Sequence, residues 1–230
     1  MHTRSRQDWS VFAPEAIPTK SQVPQLERWL RELPAAPLRC VDIGCGAGGC
    51  TRRLLARGDS VVAVDINERA IAALRRALAG AAVELHVRDV ANPVGLGLAA
   101  GAFDAAVCQL VVSVVGDAQD RATLLRNTHE VLREGAALFI SFSGLSDDLN
   151  AEYASLYARD LQETGEHGSY LSRDETGRVL YRTHHFSADE IVQLLAATGF
   201  VDVQMEEQIE ASSRRPEQRA RFFYVTCRRC

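Results

Sequence analysis

Lysine is almost absent from this chain. Lys20 is its one lysine among 26 basic residues, and 30 acidic residues outnumber them, for a formal net charge of −4. A generic nucleic-acid binder needs a basic field to neutralise phosphates, so none is expected as a partner. The preference for Arg, beside abundant Ala, Leu and Gly, reads as genome composition rather than as a phosphate-binding surface. Long apolar runs are missing too. None reaches the roughly 18 residues that a membrane helix requires. The N-terminal MHTRSRQDWSVFAPEA has no apolar stretch of signal-peptide length. No membrane association and a cytoplasmic location are therefore expected. The six cysteines, at 40, 45, 50, 108, 227 and 230, contain one metal-like spacing, Cys227-x-x-Cys230, with no second pair or nearby histidines to complete a zinc site. No metal is expected, and Cys40, Cys45 and Cys108 read as small buried hydrophobes with reduced thiols.

What is present suits one α/β domain. The chain has 230 residues, 47% hydrophobic and 24% charged, enough to bury a substantial core. Gln25 to Leu33 carries apolar residues at 26, 29, 30 and 33, a helical stripe. Thereafter short apolar runs alternate with amphipathic segments. Strands are expected at 38–43, 60–64, 83–87, 103–108 and 136–142, the fourth continuing into an apolar run to Val115. Helices are expected at 51–57, 68–79 and 120–133, with Gly58, Gly80 and Gly135 as stops. That rhythm predicts an α/β fold with a doubly wound, mostly parallel seven-stranded sheet. Residues 1–37 read as an N-terminal flap and helix, and residues 38–230 as the main domain. Residues 143–186 interrupt the rhythm as a lid insertion, with a helix at 148–164 and a hairpin at 170–182 around Asp174-Glu175-Thr176-Gly177. Ser187-Ala188-Asp189-Glu190 is a capping box flanked by Phe186 and Ile191, and its helix runs to Thr198. Two consecutive strands, 201–205 and 221–226, end the chain as an antiparallel hairpin.

The run Val41-Asp42-Ile43-Gly44-Cys45-Gly46-Ala47-Gly48-Gly49 is the most informative stretch. A strand runs into glycines that let the backbone turn sharply and admit a nucleotide against the main chain. Gly44-x-Gly46-x-x-Gly49, with Asp65 about twenty residues on, matches the dinucleotide fingerprint. Read with its preceding acid, Asp42-x-Gly44-x-Gly46-x-Gly48 resembles motif I of the class I (Rossmann-like) S-adenosylmethionine-dependent methyltransferases. Three features favour the second reading. Asp42 would repel a pyrophosphate, Asp89 supplies a second carboxylate at the end of strand 3, and the C-terminal hairpin replaces a second mononucleotide half.

The resemblance implies S-adenosyl-L-methionine as cofactor and S-adenosyl-L-homocysteine as product. By it, Gly44, Cys45, Gly46 and Gly48 face the methionine portion, with Asp42 beneath. Asp65 accepts from both ribose hydroxyls, Ile66 packs on adenine, Asp89 takes the adenine amino group, and the Val90 N–H reaches the ring. Gln109 and Leu110 border the sulfonium. A carboxylate suits a diol or an exocyclic amine because it can accept two hydrogen bonds at once.

His184 and His185 are the candidate bases for an acceptor that must lose a proton. Being adjacent, they point opposite ways if the segment is extended, so at most one faces the site. Tyr153, Tyr157 and Tyr170 are candidate acceptor-pocket residues, although aromatic residues at helical spacing also suit a core. Trp9 and Phe12 are candidates for a flap over the cofactor. After strand 4 the chain reads Cys108-Gln109-Leu110-Val111, not the Asn/Asp-Pro-Pro-aromatic motif of nucleic-acid amino-methylating enzymes, and no Pro-Cys pair is present. A small-molecule acceptor, natural-product or quinone-like and methylated at O, N or C, is expected as partner, with the chain monomeric or homodimeric. Peptide, protein and nucleic-acid acceptors, a non-catalytic cofactor-binding role and an NAD(P)-dependent oxidoreductase remain alternatives. The nucleic-acid reading would need Arg214, Arg215, Arg219 and Arg221 to be continuous with the cleft.

Overall fold

The β-branched run Arg39–Ile43 forms β1, the first strand of the sheet and buried after its first residue. The computed structural model describes Trp9, Phe12, residues 23–212 and residues 217–230. Lys20, Arg214 and Arg215 lie outside the described residues. α2 (Gly49–Arg57), β2 (Ser60–Asp65), α3 (Glu68–Ala77), β3 (Val83–Val87) and β4 (Phe103–Cys108) follow. Next come α4 (Ala118–Val131), β5 (Leu132–Ser143), α5 (Ala151–Thr164), β6 (Ser169–Arg173) and β7 (Val179–His184). The chain ends with α6 (Ala188–Ala197), β8 (Phe200–Ala211) and β9 (Arg219–Arg229), while α1 (Pro24–Glu32) precedes β1.

The seven-stranded sheet has the order β3-β2-β1-β4-β5-β9-β8. β1 to β5 pair in parallel, and β9 joins β5 and β8 antiparallel. The expected doubly wound sheet with its C-terminal hairpin is thus the observed one. Two β1 neighbours, β2 and β4, lie on opposite sides and are reached by crossovers in opposite directions. A crevice opens there, at the carboxyl ends of the strands, where ligands bind in open α/β sheets.

The period-two pattern of the strands divides the core. Val41, Ile43, Val62, Val64, Ala106 and Cys108 pack with α4 and α6 through Leu124, Leu125, Ile191 and Leu195. Cys40, Val61, Ala105 and Val107 pack with α1, α2 and α5 through Leu26, Trp29, Leu54 and Tyr157. The stripe expected on α1 is the face that buries Leu26, Trp29 and Leu30. Each such apolar side chain contributes roughly 1.5–3 kcal/mol by leaving water.

Four boundaries differ from the sequence reading. β4 stops at Cys108, and the following apolar run turns instead of extending, with a 3-10 turn at Val112–Val114. α4 spans 118–131, earlier than expected, because Asp117 rather than Asp120 caps it by accepting from the Gln119 N–H. Gly135 is no helix stop. β5 begins at Leu132, opposite Phe103, and regular pairing resumes only at Ala137, opposite Ala105. Gly135, at φ 71°, lies in that irregularity. β8 and β9 are 12 and 11 residues long, well beyond the expected hairpin.

The insertion between β5 and α6 contains α5 and the β6–β7 hairpin, close to the expected helix and hairpin. Asn150 caps α5 by accepting from Glu152 N. Asp174 closes the hairpin turn by accepting from the Thr176 and Arg178 backbone N–H groups. The capping box before α6 is present in half. Ser187 accepts from Glu190 N, but the Glu190 carboxylate is turned to His184.

Candidate active site

A cavity of about 390 Å³ opens at the carboxyl ends of β1, β2, β3 and β4. Its floor is the glycine turn. Gly44 sits at φ 70°, and a Cβ there would collide with Val111 in the loop after β4. Gly44 and Cys45 both donate N–H to Val64 O, which ties the turn to β2. Gly46 donates its N–H to Asp65 Oδ2 at 2.8 Å, while Asp65 Oδ1 accepts from Asn67 N at 2.8 Å. The carboxylate expected at the ribose therefore also holds the turn in place. Burial raises the Asp65 pKa, and the Asn67 and Gly46 N–H groups counter only part of that rise. Asp42, 1% exposed, accepts from Thr51 Oγ1 at 2.6 Å. Burial pushes its carboxyl up to about 6, opposed by the Thr51 bond.

At β3 the chain turns on Asp89, whose Oδ1 accepts from Ala91 N at 2.9 Å. Asn127 of α4 secures this loop by donating to Val90 O and Asn92 O, both at 2.9 Å. After β4, Leu110 adopts φ 59°, a strained conformation for a branched residue. It is held there by its N–H bond to Ser141 Oγ at 2.9 Å. Beside it, burial raises the Cys50 thiol well above its usual value, so it stays an S–H and donates a hydrogen bond to Gln109 Oε1 at 2.8 Å. That fixes the amide with Nε2 as its donor end, and this buried nitrogen has no partner among the described residues.

The opposite wall comes from the insertion and the C-terminal strands. Tyr153 and Tyr170 line it, with Tyr181, Phe222 and His185. Tyr153 donates its hydroxyl to Ser212 Oγ at 3.2 Å. Trp9 also lines the cavity, and its ring lies 4.8 Å from Tyr181. Asn67 Nδ2 donates to Trp9 O and Phe12 O, at 2.7 and 3.0 Å.

Of the residues singled out from sequence, Asp42, Gly44, Cys45, Gly46, Asp65 and Ile66 line this one cavity. So do Asp89, Val90, Gln109, Leu110, Tyr153, Tyr170 and His185. Three do not. Gly48 caps α2 at φ 81°, where a Cβ would strike Leu74, so it serves the packing of α2 on α3. Tyr157 lies behind the wall and bonds His185 Nδ1 at 2.6 Å. His184, fully buried, points the other way, as adjacent residues on an extended segment must. Its Nδ1 meets Ser169 Oγ at 2.9 Å and its Nε2 meets Glu190 Oε1 at 2.9 Å. The expectation of a catalytic His184 is corrected by that placement.

His184 belongs to a buried ionic cluster. Glu166, between α5 and β6, pairs with Arg121 of α4 and, at 2.6 Å, with Arg182 of β7. Burial pushes Glu166 up, but His184 and Arg121 hold its carboxyl below the usual range. Ligand atoms of Glu166, His184 and Glu190 lie within 4.8 Å of one another. Two guanidinium groups already neutralise Glu166, so the cluster is a tie between insertion and core, not a cation site. Asn67, Asn127, Ser141, Tyr181 and Phe222 are the site-shaping residues that sequence reading missed. Only Asn67 carried a signal, as a helix cap.

Arg221, one of the four arginines considered for nucleic acid, is paired with Asp148 at 2.8 Å and Glu207 at 2.7 Å, and Arg219 donates to Ile209 O. Among the described residues no helix is long and apolar enough to cross a membrane.

Residues 41–140 match the family model described as a methyltransferase domain. The ubiquinone biosynthesis O-methyltransferase of Pseudomonas aeruginosa is 26% identical over 103 residues, 45% of this chain and 43% of that protein, so the match spans under half the relative's length. A SAM-dependent methyltransferase from Methanosarcina mazei superposes with a TM-score of 0.79 at 26% identity, covering 90% of this chain and 98% of that one. The Burkholderia thailandensis 1,6-didemethyltoxoflavin-N1-methyltransferase, solved with its substrate and S-adenosylhomocysteine, shares the fold at 22% identity and a TM-score of 0.60, covering 91% and 78% of the two chains.

Proposed function

We propose, from the methyltransferase-domain match of residues 41–140 and the fold shared with a SAM-dependent methyltransferase, that this chain is a class I S-adenosylmethionine-dependent methyltransferase that methylates an O, N or C atom of a small, planar, quinone-like or natural-product acceptor. The observation that carries this reading is the continuity of one cavity. Three strand-end aspartates line one half, and tyrosines from the insertion line the other. Enclosure by an insertion suits a small molecule better than a duplex or a folded protein. A stretch of 103 residues, 45% of the chain, aligns with a relative named as a ubiquinone biosynthesis O-methyltransferase.

The residues present fit the cofactor. Asp65 keeps lone pairs for the ribose diol while accepting from Gly46 and Asn67, and Asp89, which accepts from Ala91 N, would keep lone pairs for the adenine amine. The orphaned Gln109 Nε2 is a donor in want of an oxygen, which suits the amino-acid carboxylate better than the sulfonium expected beside it. The cofactor, when bound, supplies an electrophilic methyl on a sulfonium, and its transfer is an in-line displacement. Alignment and removal of water are then the chain's main tasks. In this reading residues 143–186 act as a lid, and the segment bearing Trp9 and Phe12 acts as a flap clasped by Asn67. His185 is the histidine that meets the acceptor.

The test is turnover. Protein incubated with methyl-labelled S-adenosylmethionine and a panel of catechols, hydroxyquinones and heteroaromatic amines should yield labelled product from at least one class. Label transferred only to peptide or nucleic acid, with none to the panel, would refute the small-molecule reading.

A further inference from the structure

His185 reads from sequence as a base, yet its hydrogen bonding gives it a different chemistry. Tyr157 Oη and His185 Nδ1 lie 2.6 Å apart, and both side chains are buried. The position of the proton between them decides what His185 can do. Burial pushes the Tyr157 phenol well up, so it keeps its proton at neutral pH. A phenol is the stronger donor of the two groups and an imidazole nitrogen the stronger acceptor, so across the 2.6 Å contact the O–H is directed at Nδ1. A neutral imidazole carries one N–H, and with Nδ1 accepting, that proton resides on Nε2. Protonating Nδ1 as well would turn it into a donor and leave the buried Tyr157 O–H without that acceptor. An imidazole so held is a poor proton acceptor and a well-oriented donor.

The ring is also fixed in place. Tyr153 and Tyr170 flank it with centroids at 5.0 and 5.3 Å, and the His185 backbone N–H is tied to Gly168 O at 2.9 Å. This is the tyrosine-lined half of the cavity, away from the strand-end aspartates.

We infer that Tyr157 is a positioning residue that holds His185 as its Nε2–H tautomer, and that His185 donates a hydrogen bond to a carbonyl or oxyanion oxygen of the acceptor instead of removing the acceptor's proton. The inference rests on the methyltransferase reading for the identity of the cavity's occupant. It narrows the acceptors to small molecules that present such an oxygen beside the atom to be methylated.

The test uses the full chain with isotope-labelled histidine and bound S-adenosylhomocysteine, read by long-range proton–nitrogen correlation at neutral pH. His185 is assigned by comparison with His185→Gln. The expected pattern is neutral His185 protonated on Nε2, with that preference lost in Tyr157→Phe. Lawsone, a hydroxyquinone that carries an oxyanion beside a carbonyl, then serves as the probe. It should shift the Nε2 resonance. Its affinity should fall about tenfold in His185→Ala and stay within about threefold in His185→Gln, which retains a side-chain N–H donor. Protonation on Nδ1, a cationic His185, or equal lawsone binding by wild type and His185→Ala would each overturn the inference. Binding of S-adenosylhomocysteine, measured on the same samples, separates its failure from that of the methyltransferase reading.

Discussion

Replacing Asp65 with alanine should cost this protein most of its cofactor affinity. Two effects combine at this residue. The first is direct, since a carboxylate facing a ribose diol forms charge-assisted hydrogen bonds, together worth on the order of 2–3 kcal/mol. The second is structural, because Asp65 Oδ2 and Oδ1 accept from the Gly46 and Asn67 N–H groups that shape the glycine turn and start α3. Asp65→Ala should therefore weaken S-adenosylhomocysteine binding by roughly 30- to 150-fold, and Asp65→Asn by less, because its amide oxygen can still accept one of the two N–H bonds. Calorimetric titration at neutral pH, with circular dichroism to confirm folding, reads both. A folded Asp65→Ala protein that binds as tightly as wild type would refute the assignment.

Other expectations concern stability and motion. Asp42 has a folded pKa near 6, raised by burial from an unfolded 3.8. Its stabilising contribution is thus complete below pH 3.8 and lost as pH rises through about 6. Asp42→Asn, which can still accept from Thr51, should gain up to about 3 kcal/mol at pH 8 and nothing near pH 3.5, and urea unfolding that shows no pH-dependent gain would contradict this. Gly44→Ala must adopt a positive φ and displace Val111, so urea unfolding should show a loss of about 2–4 kcal/mol together with lost cofactor binding. Arg121 is 2% exposed and paired with Glu166, and Arg121→Ala should cost about 3–5 kcal/mol by the same assay. His184→Ala should lower the melting temperature with cofactor affinity unchanged, whereas His185→Ala should reduce turnover with cofactor affinity unchanged. Hydrogen exchange across 143–186 should slow on adding S-adenosylhomocysteine and acceptor, and indifference to both would argue against a lid.

The legible parts of the molecule were those encoded by neighbours in sequence. A strand, its glycines and the acid two positions before them lie within nine residues, Asp65 ends β2 and Asp89 follows β3 by two residues, so the aspartate-lined half of the cavity could be assembled from local pattern. The rest depends on contacts between distant residues. Nothing local distinguishes His184 from His185. Their surroundings separate only because the end of β7 turns His184 to Glu166 and Glu190 while the next residue, His185, meets Tyr157. Gln109 to Val115 looked like more strand, but Ser141 holds Leu110 at positive φ and ends it. The Glu- and Gln-rich stretch 204–210 concealed most of β8, because an edge strand with much of its length in water needs no apolar alternation. Arg121 lies inside the helix expected at 120–133, and nothing local marks it as buried, because its partner Glu166 is 45 positions away.

The claim on which the rest depends is that the glycine turn cradles S-adenosylmethionine. Its most direct test is calorimetric titration of the purified protein with S-adenosylhomocysteine, run beside NADH. Micromolar binding of the former and none of the latter is the expected result. Binding of NADH with no response to S-adenosylhomocysteine would mean that Gly44-x-Gly46-x-x-Gly49 is a dinucleotide fingerprint after all, and methyl transfer would have to be abandoned.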